Sequence, residues 1–243
     1  MSLRSDLIAA AMLLTRLPVR GSPSPQAAHA AWAWPLVGGA VGFAAAACGW
    51  LAWGLGATPA VAAALTLAIS VLLTGALHED GLADTADGLW GGGDLARRLE
   101  IMRDSRIGTY GTIALILTLM LHWSLVATAL MQGQFFEVVV TAALVSRAPM
   151  AVAMRALPAA RADGLSHRTG RPPARAAYVA VLLAIGALAL HGAYGLLAGA
   201  LVVLVLWGIA RLARARIGGQ TGDVLGAIQQ LSEIAVLAAL TSG

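Results

Sequence analysis

The sequence predicts an all-α, polytopic integral membrane protein, with about seven transmembrane helices and an interfacial helix at its N-terminus. Of the 243 residues, 59% are hydrophobic and only 12% are charged, which is about half the charged fraction of a soluble domain. Apolar runs also recur at close to the roughly 20 residues that a helix needs to cross a bilayer. A soluble protein with buried helices is the alternative, but too little polar surface remains to solvate one.

The apolar runs and the arginines together predict a topology. All 16 basic residues are arginine, and all except Arg147 lie before the first span or after the second, fourth and sixth. The positive-inside rule assigns that side to the cytoplasm, so the chain starts inside and any chemistry on this side faces the cytoplasm. The predicted spans cover residues 32–55, 60–77, 111–131, 136–156, 176–191, 194–210 and 223–241.

The remaining composition limits the partners. The formal net charge is only +4, and the arginines lie between apolar runs, so we expect a lipid bilayer and no nucleic acid as partner. The single cysteine, Cys48, allows no intrachain disulfide and no cysteine metal site.

Residues 1–17 resemble a signal peptide, but their apolar stretch is short and bracketed by Asp6 and Arg16, so we expect a retained interfacial helix. No repeat or long linker interrupts the chain, which predicts one domain over residues 1–243.

An acidic cluster follows the second span. Seven of the 12 acidic residues lie between positions 79 and 104, and Asp80, Asp84 and Asp87 are spaced i, i+4, i+7 on one face of a helix. Carboxylates with no nearby Cys and no obvious set of His ligands suit a hard cation, so we expect Mg²⁺ at these three residues, with Glu79 as a further ligand or as a general base. The alternative is a solvated acidic helix end.

A basic segment precedes the third span. Arg103 and Arg106 have planar side chains that suit phosphate oxygens. Gly108 and Thr109 begin a helix whose backbone N–H groups suit an anion, so we expect the segment to hold a pyrophosphate. Between the arginines, Asp104 could ligate metal, orient an arginine or act as a base. The alternative is that these arginines only set the membrane orientation and that the glycines only begin the next helix.

The last span begins with a polar segment and carries acids. Thr221 and Asp223 are typical of a helix N-cap region, and Asp223 is expected to reach the same cytoplasmic cavity. Capping does not explain Glu233 deeper in the span, where ionisable groups face a bundle interior or a polar cavity. Arg147 is a candidate partner for one of these acids, and a structural ion pair is the alternative.

Four segments together resemble one enzyme family. They read LTRLPV at residues 14–19, EDGLADTADG at 79–88, MRDSRIGTYG at 102–111 and GQTGDVLGA at 219–227. Their order, with the length and multi-span layout, resembles the cobalamin synthase family, the adenosylcobinamide-GDP ribazoletransferases, over essentially the whole chain.

The resemblance implies a transferase in the bacterial cytoplasmic membrane that works with Mg²⁺. Such an enzyme joins adenosylcobinamide-GDP to α-ribazole, or to its 5′-phosphate, giving adenosylcobalamin or its 5′-phosphate and releasing GMP. The sequence leaves a homo-oligomer open. On this reading the metal ligands are Asp80, Asp84, Asp87 and Glu79, the catalytic candidates are Glu79 and Asp104, and the substrate-binding residues are Arg103, Arg106, Gly108, Thr109, Thr221 and Asp223.

Two other functions fit parts of the pattern. A CDP-alcohol phosphotransferase also uses spaced aspartates and Mg²⁺. Its sequence signature places Ala-Arg after an Asp-Gly pair, with two further aspartates beyond a glycine, and this signature is absent here. An ion-coupled transporter would use the acids as an ion pathway, and would need polar groups toward both membrane faces or broken helices in paired halves. The arginines and most of the acids lie on one side instead, which favours the transferase.

Overall fold

A computed structural model describes residues 2–19, 21 and 27–243. Within these residues the chain is helical, and its only β-type pairing is an isolated bridge between Ala159 and Gln220. A 3-10 turn, Ala27–Ala33, leads into α2. The α-helices are α1 Leu3–Leu14, α2 Trp34–Gly54, α3 Pro59–Thr74, α4 Leu77–Gly91, α5 Leu95–Ile101, α6 Thr109–Met131, α7 Phe135–Val145, α8 Ala148–Ala156, α9 Leu165–Thr169, α10 Ala174–Ala189, α11 Gly192–Ile217 and α12 Gly222–Leu240.

The predicted polytopic helical class is confirmed, while the count of seven spans stays a prediction. Every predicted span falls on helical structure, although span 136–156 covers two helices, α7 and α8. Among the described residues, however, five helices are long and apolar enough to cross a membrane, and α3 with α4 would add a sixth if the bent pair counted as one span. Helix α10 has 16 residues and is about 24 Å long, which is short of a hydrocarbon core about 30 Å thick. The five are Ala27–Gly54, Thr109–Met131, Phe135–Ala156, Gly192–Ile217 and Gly222–Leu240.

The predicted N-terminal helix is present as α1, although Met1 lies outside the described residues. Leu3 is exposed, whereas Ala10 and Leu14 are buried against the bundle. The indole N–H of Trp32 donates to Asp6 over 2.9 Å, which ties α1 to the turn before α2. Helix α1 is therefore packed on the fold along one side, while its interfacial position stays a prediction.

A sharp bend separates α3 from α4. Gly75 and Ala76 have φ angles of 67° and 57°, and Ala76 is the one non-glycine residue with positive φ among those described. The two helix axes diverge by 87°. The left-handed conformation costs a non-glycine residue about 1–2 kcal/mol, and the N-terminal segment supports it, since the Arg16 N–H donates to the Leu73 carbonyl over 2.7 Å. Helix α4 therefore runs in a different direction from α3, and it is not one of the five helices that are long and apolar enough to cross a membrane.

Glycines allow α4 to pack directly on α12. A Cβ at Gly81 would lie 3.0 Å from the Cα of Asp223, and one at Gly226 would lie 3.2 Å from the Cα of His78. Small residues permit such backbone approach between membrane helices. The packing brings the acidic face of α4 against the first turns of α12.

Candidate active site

The three aspartates of α4 lie on one face but differ in exposure. Asp80 is exposed, Asp84 is half-buried and Asp87 is buried. Burial raises the pKa of Asp84 to about 7, with further contributions from the negative charges of Asp80, Asp223 and Asp87. Four carboxylates from two helices therefore lie close enough to repel one another, and the three in α4 share one helix face as their spacing predicted.

Asp87 anchors the start of α6. Its two carboxylate oxygens accept hydrogen bonds from the backbone N–H groups of Gly108, over 2.7 Å, and Gly111, over 2.9 Å. A Cβ at either glycine would collide with this carboxylate. The helix N-terminus predicted to bind a substrate anion thus binds a side chain of the protein, while Thr109 is exposed in the first turn of α6.

We expect Asp87→Asn to lower the free energy of unfolding by about 1.5–3 kcal/mol. The amide cannot accept from both N–H groups, so one charge-assisted hydrogen bond is lost at a buried helix start. Asp94 is the matched control, because it caps the exposed helix α5 by accepting from the Arg97 N–H over 2.9 Å, and Asn caps as well as Asp. Denaturant titration in micelles measures both variants, and equal losses would contradict the anchoring role.

Asp223 is held by a residue that the sequence did not single out. The Arg161 guanidinium donates to an Asp223 oxygen over 3.1 Å, and the Thr221 hydroxyl donates to the same oxygen over 3.0 Å. Thr221 also caps α12 by accepting from the Val224 N–H, as its sequence position predicted. Arg161 belongs among the site residues, although the sequence marked it only as a topology arginine.

A pair of backbone hydrogen bonds brings Arg161 to Asp223. The Ala160 N–H donates to the Gln220 carbonyl, and the Gln220 N–H donates to the Pro158 carbonyl, each over 2.9 Å. Gly219 permits this approach, because a Cβ there would collide with Pro158. The loop after α8 is thereby joined to the loop before α12, and no local sequence signal could have indicated this pairing.

The two predicted phosphate-binding arginines are both paired with carboxylates. Arg103 contacts Asp163 over 2.7 Å, and Arg106 contacts Asp104 over 2.6 Å. Hydrogen bonds from Arg106 lower the pKa of Asp104 to about 2. A carboxylate that acidic is a weak base, so of the three roles open to Asp104 the geometry favours orienting an arginine.

Glu79 opens a buried chain of polar side chains. One of its oxygens accepts from the Gln230 amide over 3.0 Å, and Gln230 donates to Gln229 over 3.1 Å. Gln229 donates in turn to Glu233, which pairs with Arg147 over 2.7 Å. The partner of Arg147 is therefore Glu233, in the structural ion pair that was the alternative interpretation.

A cavity of about 170 Å³ is lined by residues of α1, α2, α4, α8, α9 and α12. Asp80, Asp223 and Arg161 line it together with His78. Arg103 and Arg106 do not line it, and Asp84 lies beside it on the same face of α4. The structure thus brings together carboxylates from two helices and one arginine around a space that a small group could fill.

Comparison with known proteins decides the family. Residues 6–241 match the family described as cobalamin-5-phosphate synthase. The chain belongs to the cobalamin-5-phosphate synthase family.

Close relatives support the same assignment. The chain is 49% identical over 242 residues to the adenosylcobinamide-GDP ribazoletransferase of Bradyrhizobium diazoefficiens, covering 96% of this chain and 92% of that protein. It is 46% identical over 247 residues to the protein of that name from Azorhizobium caulinodans, with 96% and 94% coverage. No solved structure matches the chain. The cobalamin synthase resemblance drawn from four short segments is therefore confirmed.

Proposed function

We propose that the protein is an adenosylcobinamide-GDP ribazoletransferase, which joins adenosylcobinamide-GDP to α-ribazole, or to its 5′-phosphate, and releases GMP. Its relatives carry that name over nearly their whole length. The observation that carries the proposal is the meeting of the acidic face of α4 with Asp223 and Arg161 at one cavity. A cluster of carboxylates beside an arginine suits a reaction in which a phosphoryl centre changes partners.

The donor set fits Mg²⁺ as the proposed cofactor. Asp80 and Asp84 are successive carboxylates on one helix face, and Asp223 approaches them from α12. Within the described residues, no three His, Cys, Asp or Glu side chains converge into an arrangement that could hold a metal ion. Mg²⁺ commonly takes one or two carboxylates and completes its shell with waters and substrate phosphates. Asp80 and Asp84 would therefore be enough as its protein ligands.

The proposed reaction is a displacement at phosphorus. A hydroxyl of ribazole attacks the phosphorus attached to cobinamide, the bond from that phosphorus to the GMP oxygen breaks, and the hydroxyl proton passes to a base. Bound Mg²⁺ would neutralise the pyrophosphate charge. Arg161 would hold a phosphate oxygen, with its orientation fixed by Asp223. Glu79 stays the proposed base: one of its oxygens is held by Gln230, and the other is buried without a hydrogen-bond partner among the described residues. Glu79 does not itself line the cavity, although both of its sequence neighbours do.

We also propose that the site faces the cytoplasm of a bacterial inner membrane. The acids of α4 and the first turns of α6 and α12 lie at one end of the bundle, together with Arg103, Arg106 and Arg161. Arginine-rich connections are typical of the cytoplasmic side.

The direct test is to incubate the purified protein in lipid nanodiscs with adenosylcobinamide-GDP, α-ribazole and Mg²⁺, and to measure GMP. We expect GMP to appear together with adenosylcobalamin in equal amounts. Release of CMP from a CDP-alcohol, with no GMP from adenosylcobinamide-GDP, would instead identify a CDP-alcohol phosphotransferase and overturn the proposal.

We expect Arg161→Gln to lower kcat/KM for GMP release by about 10²-fold, because one charged contact to the transferred phosphoryl group is lost. Arg97→Gln is the matched control, since Arg97 lies on α5 and pairs with Glu100 at the exposed surface. The control should keep kcat/KM close to that of the wild type. A similar loss in the two variants would argue against a specific role for Arg161.

A further inference from the structure

Three residues that line the cavity of the candidate active site carry buried polar atoms without a hydrogen-bond partner in the described part of the chain. They are both ring nitrogens of His78, the indole nitrogen of Trp34 and one terminal nitrogen of Arg161, none of which has a hydrogen-bond partner among the described residues. His78 and Trp34 are each only 1% exposed. Buried polar groups are normally hydrogen-bonded, so this convergence points to a ligand that supplies the partners.

The rest of the cavity wall is apolar and suits an aromatic ring. Trp34, Met150 and Met154 line it, with Leu77 and Leu225. Indole rings stack on aromatic groups, and methionine sulfur makes favourable contacts with ring edges. The wall therefore favours a flat, mostly apolar group with few hydrogen-bonding atoms.

The volume limits the size of the occupant. The cavity holds about 170 Å³, whereas an engineered cavity of about 150 Å³ accepts benzene. Pockets for larger ligands enclose roughly 300–1,000 Å³. One small aromatic ring system fits here, and a corrin ring does not.

We propose that this cavity binds the aromatic base of ribazole. The inference rests on the proposed function and adds the location of one substrate, the ribazole, within the site. A benzimidazole base is mostly hydrocarbon, which suits the apolar side chains of the wall, and it offers one ring nitrogen as an acceptor for a donor such as the Trp34 indole N–H. Guanine carries amide-like donors and acceptors on several edges, and the apolar side chains around the cavity would leave some of them unpaired, at a cost for each.

The orientation follows from the other residues of the same cavity. Asp80, Asp223 and Arg161 line it together with the apolar wall. In the proposed arrangement the base lies against Trp34 and Met154, and the ribose lies beside the carboxylates. The attacking hydroxyl then meets the phosphorus beside the acidic face of α4.

Methyl NMR tests the base assignment without relying on turnover. Of the seven methionines, Met150 and Met154 line the cavity, whereas Met120 and Met131 are exposed on α6. With ¹³C-methyl methionine in nanodiscs, α-ribazole alone should shift the Met150 and Met154 methyl signals by its ring current and leave Met120 and Met131 unchanged. Met150→Leu and Met154→Leu assign the signals.

Two results would overturn the proposal. GDP could shift Met150 and Met154 while α-ribazole does not, which would make the cavity a guanine pocket. Alternatively, α-ribazole could leave both signals unmoved in a sample that still releases GMP with adenosylcobinamide-GDP. The same GMP measurement reports on the proposed function separately, since its failure appears as no GMP from any sample.

A pair of tryptophan variants tests the donor. Trp34→Phe keeps an aromatic ring and removes the N–H, so we expect the KM for α-ribazole to rise about tenfold while the KM for adenosylcobinamide-GDP stays unchanged. Trp32→Phe is the control, because the Trp32 indole donates to Asp6 outside this cavity, and it should leave both KM values unchanged. Equal rises in the two KM values for Trp34→Phe would contradict a base-specific contact.

Discussion

We expect Asp84→Asn to lower GMP release by about 10²–10³-fold, the range for loss of one group that stabilises transition-state charge. Asp84 lies on the same face of α4 as Asp80, with Asp223 close by. An amide has nearly the same shape but cannot replace a carboxylate at a hard cation. The substitution also removes one of four repelling charges, so the free energy of unfolding measured with a chelator present should be equal to that of the wild type or higher.

Glu100→Gln is the matched control for that loss of activity. Glu100 undergoes the same chemical change, but it lies on the exposed surface of α5, where it pairs with Arg97. Its GMP release should match that of the wild type. Near-normal, still Mg²⁺-dependent turnover by Asp84→Asn would remove Asp84 from the site.

The largest expected effect on stability is at Arg147. Arg147→Leu should lower the free energy of unfolding by about 3–5 kcal/mol, because the buried Glu233 would lose its arginine partner. Arg147 and Glu233 are 2% and 4% exposed and lie 2.7 Å apart. Denaturant titration in micelles, followed by tryptophan fluorescence, measures the loss.

Two further variants show whether the loss of stability comes from leaving Glu233 buried without its arginine or from the loss of the ion-pair contact itself. Arg147→Leu combined with Glu233→Leu should recover much of the stability, since an apolar pair often replaces a buried ion pair at little cost. Arg97→Leu breaks an exposed pair and should cost less than about 1 kcal/mol. A double variant as unstable as the sum of its two single variants would contradict the account.

The helices and the acidic face of α4 could be predicted because they depend on local periodicity. Each apolar run forms a helix, and the i, i+4 spacing of Asp80 and Asp84 puts both on one face. The sharp bend between α3 and α4 could not be predicted, because composition does not reveal a change of helix direction. Gly75 and Ala76 adopt left-handed backbone conformations, and the axes of α3 and α4 on either side of them diverge by 87°. In the sequence, this segment looks like the polar end of a single helix.

The roles within the site depended on tertiary packing. Asp87 has the same spacing as its neighbours, yet the start of α6 docks on it and uses both of its oxygens. Arg161 reaches Asp223 through a loop pairing between residues about sixty positions apart, so no pattern near Arg161 could indicate it. The Glu79 network and the aromatic cavity likewise join residues from helices that are distant in sequence.

The central claim, that the acidic face of α4 ligates the cation, is tested most directly by the metal preference of Asp84→Cys. A thiolate favours soft cations over Mg²⁺. We predict that Asp84→Cys releases little GMP with Mg²⁺ and recovers activity with Cd²⁺, while Glu100→Cys keeps the Mg²⁺ preference of the wild type. Equal rates of GMP release by Asp84→Cys with the two cations would contradict the claim.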